Sequence, residues 1–223
     1  MRFAFLPAVV AAFASCAWAD AADNIASSVV KIHVVSRPPD FARPWAKGSP
    51  QESSGSGVII EGNRILTNAH VVRYASQIFV QADQSTERVP AKIKAIAMGV
   101  DLAIVEVSRP SFFQDHPPLS LAEGLPSLKQ SVSVYGYPMG GEQISITQGI
   151  ISRVEHTAIN YGINALRIQI DAALNPGNSG GPGVVDGKIV GLVYSKFSTG
   201  ENIGYLIAAD EIRMFLDDIK DGV

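Results

Sequence analysis

Cysteine is nearly missing from this chain. Its 223 residues hold one, Cys16, in a leader-like N-terminus. Thiol catalysis is therefore excluded from everything downstream, and the fold must hold without a disulfide even in an oxidising compartment. Long apolar runs are missing too. Residues 3–13 are too few to span a bilayer, and no later stretch qualifies. Basic clusters are also absent. Lys and Arg number 18 against 21 Asp and Glu, a formal charge of −3 that gives no support for a nucleic-acid partner. No residue pattern implies a metal or cofactor. Histidines are few: four, all before residue 157. What remains is an ordinary globular composition, 47% hydrophobic and 17% charged, long enough for one large domain or two small ones.

The first residues read as a secretory signal. Arg2 supplies the positive end, residues 3–13 the apolar core, and Ala17-Trp18-Ala19 a small-residue cleavage site. Residues 1–19 would be removed and the mature chain would begin at Asp20, in the periplasm or outside the cell. Phe13-Ala14-Ser15-Cys16 loosely matches a bacterial lipoprotein box, with Phe13 where Leu is usual. A lipid anchor at Cys16 is the competing reading.

Strand signals dominate the rest. Residues 28–35 alternate and are rich in Val and Ile. A loop with four prolines follows at 36–54. It carries Phe41 and Trp45, which either pack back on the domain or contact another subunit. Strands are expected at 57–60, 64–67, 77–81, 91–97 and 102–107, with a tight turn at Glu61-Gly62-Asn63. Prolines 110, 117 and 118 mark a linker at about 110–126. The second half repeats the pattern at 131–136, 143–155, 166–170, 183–185, 188–194 and 203–207. About six short strands in each half argue two barrels, at about 25–109 and 127–208. Only the end is helical: Ile212, Phe215, Leu216 and Ile219 make one apolar stripe in a helix at about 210–220.

The chemistry centres on Gly177-Asn178-Ser179-Gly180-Gly181-Pro182. A serine between glycines suits a nucleophile, since a carbonyl must come within about 3–3.5 Å of it and backbone N–H groups must point into the same space. With average composition this hexapeptide should occur by chance roughly once in 10⁵ chains of this size. Gly177-x-Ser179-x-Gly181 also fits the nucleophile elbow of α/β-hydrolases, but there the histidine follows the serine, and here all four precede it. His70 is the best base: it ends a strand beside small residues, in Leu66-Thr67-Asn68-Ala69-His70-Val71-Val72. His33 alternates within a strand, His116 lies in the linker, and His156 stays open. The orienting carboxylate is Asp101, which leads into the apolar strand Leu102-Ala103-Ile104-Val105 and would need a partner once drawn inward. Asp171 sits in the serine loop itself.

Thr67-Asn68-Ala69-His70-Val71-Val72, Asp101-Leu102-Ala103-Ile104-Val105 and Gly177-Asn178-Ser179-Gly180-Gly181-Pro182 together resemble the HtrA/Deg family of trypsin-like serine proteases. Gly55-Ser56-Gly57-Val58-Ile59-Ile60, Tyr135-Gly136-Tyr137-Pro138-Met139-Gly140-Gly141 and Gln148-Gly149-Ile150-Ile151-Ser152-Arg153 match as well, so the likeness runs from about residue 54 to 219. The resemblance implies an all-β, chymotrypsin-like pair of six-stranded barrels, with a His70, Asp101, Ser179 triad between them. It implies an oxyanion hole at Gly177 and Ser179 in a loop shaped by Asn178, and endopeptidase activity on unfolded or damaged proteins through an acyl-enzyme. Homotrimers or larger assemblies are usual in that family. A peptide-binding or chaperone module with little turnover is the alternative from another class. Family members often continue into a PDZ domain, which is not expected here after the last helix. The chymotrypsin arrangement places Ala173, six residues before the serine, at the base of the specificity pocket, and Leu192, Val193 and Tyr194 on the strand walling it. Cleavage after small or medium apolar residues is then expected. Asn178 is uncharged where zymogen-type relatives have an aspartate, so activation by a new N-terminal amine is not expected.

Overall fold

The computed structural model describes residues 25–43, 45–139, 141–158, 163–196 and 203–221. The expected signal and Cys16 lie outside them. Among the described residues no helix is long and apolar enough to cross a membrane.

Two closed antiparallel barrels of six strands make up the molecule. The first runs β1 Val29–Ser36, β2 Gln51–Ile60, β3 Arg64–Thr67, β4 Ala75–Ala82, β5 Val89–Ala97 and β6 Leu102–Val107, in the order β1-β2-β3-β6-β5-β4. The second runs β7 Ser131–Gly136, β8 Ser145–Ala158, β9 Asn164–Ile170, β10 Pro182–Val185, β11 Lys188–Lys196 and β12 Gly204–Ala208, in the order β10-β11-β12-β9-β8-β7. Closure leaves no edge strand in either half. The expected strands are all present, most extended by a residue or more.

Alternation along the strands builds the main apolar layers. Val30, Ile32, Ile65 and Val105 fill the first barrel, and Val132, Ile151, Ile168 and Leu206 the second. A third layer joins Val58, Leu66, Leu102 and Ile104 of the first barrel to Ile189, Leu192 and Ile207 of the second and to the terminal helix. The unbroken apolar run of β6 follows from this. Ala103 and Val105 face the barrel interior, while Leu102 and Ile104 face the layer between barrels. Truncating Leu66 or Ile104, both fully buried, to Ala would cost about 2–5 kcal/mol each.

One helical turn, α1, spans Ala69–Val72. The terminal helix α2 spans Ala209–Asp218 and tightens into a 3₁₀ turn at Ile219–Asp221. Its expected stripe is the buried one: Ile212, Phe215 and Leu216 sit in the layer between barrels and Ile219 packs against it. The Glu211 carboxylate accepts the Leu166 N–H of β9 at 2.7 Å, which docks the helix on the second barrel.

Two readings of the connections change. The 110–126 segment contains a 3₁₀ turn at Pro110–Phe113, where proline suits the first position. It also stitches the halves together. Leu119 N–H donates to Ile59 O (2.9 Å), Ile189 N–H to Ser120 O (2.9 Å) and Ala122 N–H to Ile189 O (2.8 Å). In the 36–54 segment, Gln51–Ser54 are not loop but the start of β2, paired with Ser36 to His33 of β1. Their polar side chains show no alternation because that end of the ladder is solvent-facing. Phe41 and Trp45 do not pack back: they are 83% and 85% exposed.

Candidate active site

β3 ends at Thr67, and the chain turns through Asn68 into α1, which carries His70. The β5–β6 turn ends at Asp101 beside it. Asp101 is 4% exposed and binds this turn with four hydrogen bonds. Oδ2 is 2.6 Å from His70 Nδ1, and Oδ1 accepts the His70 backbone N–H at 2.8 Å. Its carbonyl accepts the Ala69 N–H at 3.2 Å and the Asn68 side-chain amide at 3.1 Å. The carboxylate thus caps the helical turn and holds the imidazole. With Nδ1–H donated to Asp101, Nε2 is the nitrogen left to accept a proton. Asp101 sits at φ 62, a left-handed conformation that Asp tolerates better than most residues.

Ser179 arrives from the other barrel on a loop ordered through its main chain. Asn175-Pro176-Gly177-Asn178 closes a turn with Asn178 N–H donating to Asn175 O at 3.0 Å and Gly177 at φ 101. Proline second and a positive-φ glycine third is the type II signature. The Pro176 carbonyl accepts the Met139 N–H at 2.7 Å, which fixes the plane of the peptide that carries the Gly177 N–H. The Gly177 carbonyl accepts from Ser56 Oγ at 2.7 Å, and the same hydroxyl accepts the Tyr137 N–H at 2.8 Å. Ser56 N–H donates to Ser179 O at 2.9 Å, and Gly180 N–H to Val193 O at 3.0 Å. Among the described residues, the backbone N–H groups of Gly177 and Ser179 engage no backbone carbonyl. Gly180 cannot carry a side chain. It lies at φ 85, and a Cβ would come 2.1 Å from Ser56 O and 2.4 Å from Thr67 Oγ1. Thr67 is three residues before His70, and Gly55 lies against both Val71 and Ser179 O. The serine loop is therefore pressed onto the elements that hold His70 and Asp101.

The other candidates part company here. His33 Nε2 pairs with Gln81 Oε1 at 2.7 Å, and burial pulls its pKa below the ordinary histidine value. His116 packs on Phe112, ring centroids 5.0 Å apart. His156 is on the exposed side of β8. Asp171 Oδ1 accepts the Ile150 N–H at 2.6 Å, a strand tie rather than an orienting acid. Asn178 is 2% exposed. Ser56, which ties β2 to the serine loop, was visible in the sequence only within the Gly55-Ser56-Gly57 resemblance. A serine flanked by glycines ahead of an apolar run was its only signal.

The four expected pocket residues do not share one face. Ala173 is exposed, Val193 belongs to the core of the second barrel, and Leu192 to the layer between barrels. Tyr194 packs against that layer. Successive strand residues point to opposite faces, so Val193 cannot line the surface that Leu192 and Tyr194 face. Residues 197–202, next along the chain, lie outside the described ones.

A family model described as a trypsin-like peptidase domain matches residues 55–192. Protease Do-like 4, mitochondrial, of Arabidopsis thaliana is 44% identical over 213 residues, which cover 91% of this chain and 40% of that protein. The serine protease DegP homolog of Plasmodium falciparum is 41% identical over 194 residues, 86% of this chain and 22% of that protein. The chain thus spans less than half the length of these relatives. In fold, the active form of the Rv3671c protease from M. tuberculosis superposes with a TM-score of 0.75 at 23% identity, covering 97% of this chain and 92% of that one. The chain belongs to the family of trypsin-like peptidase domains, and its relatives include proteases of the Do-like and DegP type.

Proposed function

We propose that this chain is a serine endopeptidase acting on unfolded or damaged proteins. Ser179 Oγ attacks the peptide carbonyl carbon as its proton passes to His70 Nε2. The Gly177 and Ser179 N–H groups hold the oxyanion. The C–N bond then breaks, and His70 gives the proton to the leaving amine. Water attacks the acyl-enzyme, losing a proton to His70, and that proton returns to Ser179 as the acid departs. Asp101 holds the imidazole and stabilises its charge.

The observation that carries this reading is the buried Asp101 carboxylate on His70 Nδ1, with the serine loop tied beside it through Ser56. The leader-like N-terminus supports an extracytoplasmic place of action, in the periplasm or outside the cell, and a role in protein quality control there. Ala173 in place of an acid supports cleavage after small apolar residues. The exposed Phe41 and Trp45 support assembly with further copies, as a trimer. Labelling with a fluorophosphonate probe tests the assignment: the native chain is expected to label and Ser179→Ala not to. Equal labelling of both would refute it.

A further inference from the structure

The first barrel grips the segment between β7 and β8 at two points. One is Lys31 of β1, 6% exposed although charged. Its neighbours Val30 and Ile32 fill the first barrel, so strand alternation turns Lys31 outward. Val29 shares that outward face and packs with Tyr135 and Tyr137 of the other half. Lys31 Nζ donates to Gly141 O at 2.8 Å and to Glu142 Oε1 at 3.3 Å, acceptors 110 and 111 positions along the chain. The second point is Asp83, just past β4, whose Oδ1 accepts the Tyr137 hydroxyl at 3.1 Å. β1 and β4 pair, with Lys31 opposite Gln81, so the two grips come from adjoining strands.

What lies between the grips backs the serine loop. Gly141 N–H donates to Pro138 O at 3.1 Å, and Met139 N–H to Pro176 O at 2.7 Å. A Cβ on Gly177 would come 2.5 Å from Tyr137 O and 2.6 Å from Met139 N, so the two stretches touch main chain to main chain. The peptide carrying the Gly177 N–H is thus fixed by a short segment that the first barrel holds at Tyr137 and at Gly141. An ammonium is costly to bury unless it is hydrogen-bonded, so Lys31 favours the arrangement that brings Gly141 O to it. The Glu142 side chain is 75% exposed, and a pair so open to water adds little. The carbonyl is therefore the stronger hold. At the other grip Tyr137 is 2% exposed. Burial, and then the Asp83 carboxylate, push its phenol pKa up, so the hydroxyl is the donor.

We propose that Lys31 is a positioning residue for the oxyanion hole: its ammonium, on the Gly141 carbonyl, works with the Tyr137–Asp83 pair to hold the 137–141 segment against Gly177. The inference rests on the role given to the Gly177 N–H under the proposed function. Losing either grip leaves the barrels closed but lets the segment, and the Gly177 peptide with it, lose its fixed direction.

Hydrogen exchange, followed by mass spectrometry in the full chain carrying Ser179→Ala, reads the segment without turnover. Lys31→Met keeps a long side chain and removes the donor. It is expected to speed exchange by about threefold or more in peptides covering 137–142 and 175–180, and not in those from β5, β6 or β9. Turnover of unfolded casein with Ser179 intact gives the second readout: kcat should fall about tenfold while KM stays within about twofold. A residue that only cements the barrels would instead speed exchange throughout and leave kcat alone. Glu142→Gln should leave both readouts near the parent values. Tyr137→Phe should act like Lys31→Met. Unchanged or evenly raised exchange in Lys31→Met overturns the proposal, as does an unchanged kcat or an equal effect in Glu142→Gln. Should Lys31→Met fail to fold, Tyr137→Phe decides by the same readouts. A chain that never labels with the fluorophosphonate probe sinks the proposed function, and exchange alone then decides whether Lys31 holds the segment. A chain that labels but shows no local loosening sinks this inference alone.

Discussion

The first barrel delivers its part of the site on side chains, whereas the second delivers its part on main chain. His70 and Asp101 meet through a carboxylate that binds a ring nitrogen and a backbone N–H. Both residues come from neighbouring strand ends, since β3 and β6 pair directly. The serine loop is instead ordered by contacts from distant parts of the chain: Ser56 of β2, Tyr137 and Met139 after β7, and Val193 of β11. A side-chain device fails when its residue is replaced. A main-chain device fails when a partner elsewhere is lost.

The largest effect should come from the reacting groups. Ser179→Ala or His70→Ala is expected to lower kcat on unfolded casein by about 10⁴–10⁶, with unchanged circular dichroism showing that the fold survives. Near-normal turnover in Ser179→Ala would end the assignment.

Asp101→Asn comes next, with an expected kcat loss of about 10⁴ from the wrong imidazole tautomer. It should also weaken the fold modestly, because the same carboxylate caps α1. A drop in the denaturant midpoint alongside the kinetic loss would mark both roles. A kinetic loss without one would separate them.

Ser56→Ala tests the main-chain half without touching a reacting group. It leaves the buried Gly177 carbonyl and Tyr137 N–H unpaired, at about 1–3 kcal/mol for each group. Loosening an oxyanion donor should lower kcat by about tenfold to a thousandfold. The Asp101→Asn loss should be the same in the Ser56→Ala background, because the dyad is held separately. A smaller loss there would show that the two halves are not independent.

The smallest effect is an expected absence of one. Asn178 carries no charge to pair with a buried terminal ammonium, and such burial without a counter-charge costs several kcal/mol. Residues added ahead of Asp20 should therefore leave specific activity unchanged. An inactive extended form rescued by trimming to one N-terminus would show that the serine loop is ordered by the terminus rather than by Ser56 and Met139.

Local patterns made much of this molecule legible in its sequence. Period-two runs marked the strands, the 212, 215, 216, 219 stripe marked α2, and the glycines around Ser179 marked a close approach of main chain. These features depend on neighbours a few residues away, so the chain itself carries the signal. The start of β2 did not show, because a backbone ladder faces solvent there and asks nothing of its side chains. The hydroxyl of Ser56 did not show either, being one serine among many until folding brings Gly177 onto it from 121 positions away.

The sequence by itself determined which residues can react: the serine of Gly177-Asn178-Ser179-Gly180-Gly181, four histidines upstream of it, and an aspartate ahead of an apolar strand. Only the tertiary structure decided which of them meet. Closure of two barrels set Asp101 on His70, tied Asp171 to β8 and gave His33 to Gln81. It also buried Arg167 against Tyr194 and turned Leu192 and Val193 to opposite faces of β11. The physical reason is that hydrogen bonding and burial act on distances in space, and those distances are set by which strands pair and which faces pack.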